Sequence, residues 1–77
     1  MKKISLVQIK AKGKGRIAEI SAGLNLQNKL MNMGLHKGRE LVKLSSIGLR
    51  GPVVVKVGRT ILALGHGIAA KISVEVE

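Results

Sequence analysis

Two alternating apolar runs, Val53-Val54-Val55-Lys56-Val57 and Thr60-Ile61-Leu62-Ala63-Leu64, flank the dipeptide Gly58-Arg59. That spacing specifies a hairpin closed by a two-residue turn, with Gly first as a type II′ turn requires. Pairing Val57 with Thr60 sets Val55 opposite Leu62 and Val53 opposite Leu64, so these four aliphatics share one face and predict the core. The reverse face carries Val54, Lys56, Ile61 and Ala63, half apolar and therefore only partly solvated.

The remaining strands are shorter. Arg16 to Ser21 follows the Gly13-Lys14-Gly15 turn, Glu40 to Leu44 follows Gly38, and Ile72-Ser73-Val74-Glu75-Val76 alternates between apolar and polar. Five short strands punctuated by 10 glycines predict a mainly β fold, a small antiparallel barrel closed or nearly so. One helix is expected over Asn25 to Met33, between the first two of these strands. Leu26, Leu30 and Met33 fall on one stripe, Asn25 serves as cap and Gly34 as left-handed stop. Met31 sits about 140° around the helix from Leu26 and projects outward. A second helical turn is expected at Gly67 to Lys71. The expected interior comprises Val53, Val55, Leu62, Leu64, Leu30, Met33, Ile17 and Val74.

With 77 residues the chain holds a single domain, 1–77, and no internal repeat or linker divides it. It has no Cys, Asp, Phe, Tyr or Trp, two His and four acids, Glu19, Glu40, Glu75 and Glu77. Thiol chemistry, disulfides and zinc ribbons are thereby excluded. An array of converging catalytic groups is barely available, so the reading is a protein that is not an enzyme and takes no cofactor. A formal charge of +10 predicts an acidic partner, whereas 45% hydrophobic content gives enough Val, Ile and Leu for a folded core. The apolar stretch Ile4 to Ile9 is too short for a secretory signal, and the longest uncharged run, Thr60 to Ala70, is well below the ~20 residues that span a bilayer. A cytoplasmic protein is expected.

The run Lys10-Ala-Lys12-Gly-Lys14-Gly-Arg16 places a cation at every second position, and in extended chain all four would lie on one side. It lacks the spacing of a phosphate-binding loop. Nucleic acid is the alternative partner for such a basic barrel, disfavoured because no aromatic side chain is present to stack a base. His36 and His66 are weak metal candidates: Glu40 is the one acidic residue within four positions of His36 and none stands within four of His66, too few neighbours to complete a shell.

The segment Lys29-Leu30-Met31-Asn32-Met33-Gly34-Leu35-His36-Lys37-Gly38, followed by a strand, resembles the FeoA family. Leu6, Ile9, Gly13, Gly15 and Ile17 upstream match that pattern, as do Gly51-Pro52-Val53-Val54-Val55, Gly58, Leu62-Ala63-Leu64, Ala69, Ile72 and Val74 downstream. Lys37 departs from it, standing where family members usually place Pro. The resemblance implies an SH3-like five-stranded antiparallel barrel with one short inserted helix. It also implies a cytoplasmic accessory of FeoB, the membrane ferrous-iron transporter with a GTP-binding domain, acting by protein contact and meeting the membrane only through that transporter. The same fold occurs within the longer chains of DtxR-type iron-dependent repressors; these 77 residues read as no DNA-binding domain, so the expectation is the stand-alone transport accessory.

Both lines of reasoning place function on the surface. Lys29, Met31, Arg59 and Ile61 are the candidate partner-binding residues, being cationic or apolar groups with no core role. A homo-oligomer is left open, as is the part of the transporter contacted.

Overall fold

The computed structural model describes residues 2–46 and 51–76; Met1 and Glu77, the limits of the expected domain, lie outside the described residues. Among the described residues six strands form one antiparallel sheet, one more than expected. They are β1 (Lys2–Ser5), β2 (Lys14–Ile20), β3 (Glu40–Ser46), β4 (Val53–Val57), β5 (Thr60–Leu64) and β6 (Ile72–Val76). Their spatial order is β1-β6-β2-β3-β4-β5, so β1 and β5 are its two terminal strands. Helix α1 (Leu24–Asn32) joins β2 to β3, and α2 (His66–Ala70) joins β5 to β6.

The hairpin β4–β5 has the expected register, Val57 with Thr60, Val55 with Leu62 and Val53 with Leu64. Gly58 adopts φ 60° and Arg59 has no positive φ, the pattern of a type II′ turn. Register shifts between Ile17 and Glu19 on β2 and between Lys43 and Ser45 on β3 bend the sheet around its contents. Inside lies one apolar cluster that includes Leu6, Ile17, Leu30, Leu41, Val55, Ile72 and Val74.

The strand that the sequence concealed, β1, pairs with β6 from Lys2 opposite Val76 to Ser5 opposite Ser73. Its two lysines are exposed, so no apolar alternation marks it. Ser5 ends it: the Ser5 side chain accepts from the Val7 amide while Gln8 Oε1 accepts from the Ser5 amide at 3.1 Å, a capping box that opens the single 3₁₀ turn Leu6–Gln8.

Helix α1 begins one residue before the expected start, with Gly23 rather than Asn25 at its N-cap. The expectation that Met33 is interior is corrected: Met33 is 39% exposed and Leu35 is fully buried in its stead. The cause is the helix end. Leu35 N–H donates to Leu30 O at 2.8 Å and Gly34 N–H to Met31 O at 2.9 Å, with Gly34 at φ 90°. This is a Schellman motif, which turns the chain back so that the residue after glycine packs on the last helical turn. A second correction concerns Leu62, which is half-buried because it lies on a terminal strand.

Candidate interaction surface

Helix α1 presents its polar side outward. Leu30 is buried and Leu26 half-buried, while Met31 is 57% exposed and Lys29 is exposed, as the stripe predicts. Gln27 Nε2 donates to Ala22 O at 2.6 Å and fixes the first helical turn to the end of β2. Met31 borders a shallow cleft of about 490 Å³ lined also by Lys3, Glu19, Gln27, His36 and Lys37. Glu19 lies 3.5 Å from Lys3 Nζ, both exposed, so Lys37 is the cation in this cleft without an acidic partner among the described residues.

A second cleft, of about 660 Å³, opens beside the β4–β5 turn. Lys14, Arg39 and Lys56 line it together with His36, Gly38, Glu40, Val42 and Gly58. The Arg39 guanidinium lies directly against Gly58, where a Cβ would fall 2.6 Å from Nη2. Glu40 is already engaged, since Arg16 Nη2 donates to its Oε1 at 2.9 Å. The cleft is therefore cationic.

Strand pairing explains how these charges gather. Lys14 pairs with Val42, Val42 with Lys56, and Lys56 with Ile61, so four strands contribute one transverse row on the outer face of the sheet. Cross-strand neighbours in such a row stand about 5 Å apart. Cation and aliphatic alternate along it.

The four candidates thus fall into two groups. Lys29 and Met31 belong to α1, and Met31 borders the first cleft. Ile61, 62% exposed, continues the row beside Lys56, and Arg59 occupies the turn next to Gly58 of the second cleft. His36 lines both clefts. Arg39 and Lys56 are not among the candidate residues that the sequence suggests, and Lys14 enters only through the basic run. The period-2 alternation of β2 and β4 marks Lys14 and Lys56 as outward-facing, but nothing in Lys37-Gly38-Arg39 signals that Arg39 lies against Gly58.

The basic run does not form one extended row. Lys10 and Lys12 lie in the turn before β2, Lys12 at φ 68°, and only Lys14 and Arg16 are strand residues with alternating outward side chains. Gly13 is required in that turn because a Cβ would fall 2.7 Å from Ile9 Cγ2 and 2.8 Å from Lys10 O.

Neither histidine is a member of the cationic row. His36 is half-buried with Nδ1 3.1 Å from Lys37 O, and His66 starts α2 and lines neither cleft. Among the described residues no three of His, Cys, Asp and Glu come together. No helix among them is long and apolar enough to cross a membrane.

The family model of the FeoA domain matches residues 4–76. The chain belongs to the FeoA family. A crystal structure of an iron uptake regulatory protein, FeoA, is 31% identical, with 97% of each chain covered and a TM-score of 0.85. A FeoA-like protein from Clostridium acetobutylicum, solved by NMR, is 26% identical, with 99% of this chain and 88% of that one covered and a TM-score of 0.83. A manganese-dependent transcriptional repressor, 21% identical, shares the fold over 97% of this chain and 42% of its own, with a TM-score of 0.87. No curated protein matches the chain by sequence. The mainly β, SH3-like class expected for a FeoA domain is thus the class found, with six strands where five were expected.

Proposed function

We propose that this FeoA-family chain is a non-catalytic accessory of ferrous iron uptake that works in the cytoplasm by contact with a FeoB-type, GTP-dependent membrane transporter. The observation that carries this reading is the family match over residues 4–76, together with the crystal structure of an iron uptake regulatory protein that is similar along its whole length. The α1 face supplies the contact in this reading. An exposed thioether at Met31, with Lys29 on the same helix and Lys37 across the cleft, combines an apolar anchor with charge that steers an acidic surface toward it. Arg59 and Ile61 form a second contact area at the hairpin.

The test is binding of the purified chain to the cytoplasmic part of a FeoB-type transporter. Specific binding that weakens on charge reversal at Lys29 or Lys37 supports the reading. Unaltered binding by both variants moves the interface away from α1, and absence of binding to any part of the transporter sinks the proposal.

A further inference from the structure

We propose that the free edge of β5 is a docking site for an extended, acidic segment of a partner protein, which adds to the sheet as a seventh strand. The juxtaposition behind this is an unpaired sheet edge immediately beside a row of outward cations.

Backbone geometry identifies the free groups. The residues that flank a two-residue hairpin turn exchange both of their main-chain hydrogen bonds, and bonded residues then alternate along each strand. Val57 and Thr60 are that flanking pair, so Thr60, Leu62 and Leu64 turn their amides and carbonyls toward β4. Ile61 and Ala63 turn theirs away. Among the described residues β5 ends the sheet, so those groups meet no further strand there and no other backbone hydrogen bond reaches Thr60–Leu64. Thr60, Ile61 and Ala63 are exposed, so the edge is reachable.

Edge strands are ordinarily guarded by Lys or Pro, which discourage added strands. The opposite terminal strand, β1, carries Lys2 and Lys3 in this way. Strand β5, Thr-Ile-Leu-Ala-Leu, has neither residue. The guard is absent on one edge only.

Charge selects the occupant. On the outer face the row runs Lys14, Val42, Lys56, Ile61, and an added strand would supply its next member about 4.8 Å beyond Ile61. A carboxylate there would lie beside Ile61, within reach of the long side chains of Lys56 and Arg59, and the aliphatic residues alternating with it would face the side of β5 that carries the half-buried Leu62. A second copy of the chain carries the same formal charge of +10 and would be repelled, which favours a separate acidic segment. Main-chain bonds would give such a segment affinity and the cations would give it sign, the division of labour found in strand addition.

The inference rests on the reading that the chain works by protein contact, but its test needs no transporter, so the two fail separately. The probe is an acetylated and amidated hexapeptide alternating glutamate and valine, titrated into the full chain and followed by NMR. In the free chain the Ile61 and Ala63 amides should exchange rapidly with solvent. With peptide, exchange at these two amides should slow at least ten-fold, and binding should weaken several-fold between about 50 and 200 mM salt. Three comparisons are decisive. Ala63→Pro removes an edge donor without removing a bond to β4, and should abolish binding while Ala63→Val retains it. A peptide N-methylated at alternate residues should fail to bind the unaltered chain, which keeps the test valid should Ala63→Pro not fold. Lys56→Glu should weaken binding far more than Lys71→Glu, which changes net charge equally. Equal binding of a lysine–valine peptide, shift changes spread over all cationic positions, or slow exchange at Ile61 and Ala63 from self-association without peptide would each overturn the proposal.

Discussion

The ammonium of Lys43 donates to the carbonyl oxygen of Ile9 at 2.7 Å, from a side chain that is almost wholly buried on the inner face of β3. A second bond reaches Val7 O at 3.1 Å. The backbone of Lys43 also accepts from the Lys12 amide at 2.6 Å and donates to Gly13 O at 2.9 Å. One residue therefore ties the whole passage between β1 and β2 to the centre of the sheet. Replacing Lys43 with Met keeps the volume but leaves two carbonyls without their donor, and buried polar groups left unpaired cost about 1–3 kcal/mol. Lys43→Met should lower stability in denaturant unfolding by that order; an unchanged midpoint would show that the strap is dispensable.

Burial also holds the Lys43 ammonium below its ordinary value of 10.5. The unfolded chain then binds more protons than the folded one in the alkaline range just under 10.5, so this group makes stability rise with pH there. The desolvation cost is fully present below the lowered folded value and disappears as the pH passes up to the unfolded one. Unfolding measured across this window should show a positive slope in the native chain that is smaller in Lys43→Met. Equal slopes would assign the alkaline response to the surface lysines.

The end of α1 supplies a matched pair. Leu35 is fully buried and Met33 is 39% exposed, although the stripe at i, i+4, i+7 favours Met33. Leu35→Ala should cost roughly 2–5 kcal/mol, and Met33→Ala should stay within about 0.5 kcal/mol. Comparable losses for the two would mean that the Schellman turn is not the arrangement in solution.

These cases show where sequence reasoning stops. The β4–β5 hairpin was legible because its register, its turn and its period-2 pattern are all local, and Val53, Val55 and Leu64 are buried as that pattern requires. Interior places for Ile17, Leu30 and Val74 followed from the same periodicities. Strand β1 was not legible, because its partner β6 lies at the other end of the chain and its outward lysines conceal the alternation. Leu35 was missed because a helical stripe is projected along a straight axis, whereas the chain reverses at Gly34. On the surface, outward projection of Met31 and Ile61 could be read from phase alone. That they serve different clefts depends on how α1 and the hairpin are placed by the sheet between them, which no local pattern encodes.

Nucleic acid is a competing polyanion for the cationic row, and ionic strength separates the two kinds of contact. Lys14, Arg39 and Lys56 offer charge without any aromatic surface for a base. Binding of single-stranded DNA or RNA should fall steeply between about 50 and 200 mM salt, show little sequence preference and be negligible at physiological salt. Tight, sequence-selective binding at about 150 mM salt would make nucleic acid the partner in place of a protein.

The α1 face is tested most directly at Met31. Its side chain is 57% exposed and points away from the Leu26–Leu30 stripe, so a charged replacement has no core to disturb. Surface substitutions of this kind usually shift stability by no more than about 0.5 kcal/mol, and Met31→Glu should melt close to the native chain. If α1 contacts a FeoB-type transporter, the same change removes an apolar anchor and places an anion in the Lys37 cleft, where it would compete with an incoming carboxylate for the cation. Affinity for the transporter's cytoplasmic part should then fall at least ten-fold, and iron uptake in cells carrying the variant should fall with it. Loss of folding in Met31→Glu would contradict the helix phase, whereas normal folding with undiminished binding and uptake would place the contact away from the Met31 face of α1.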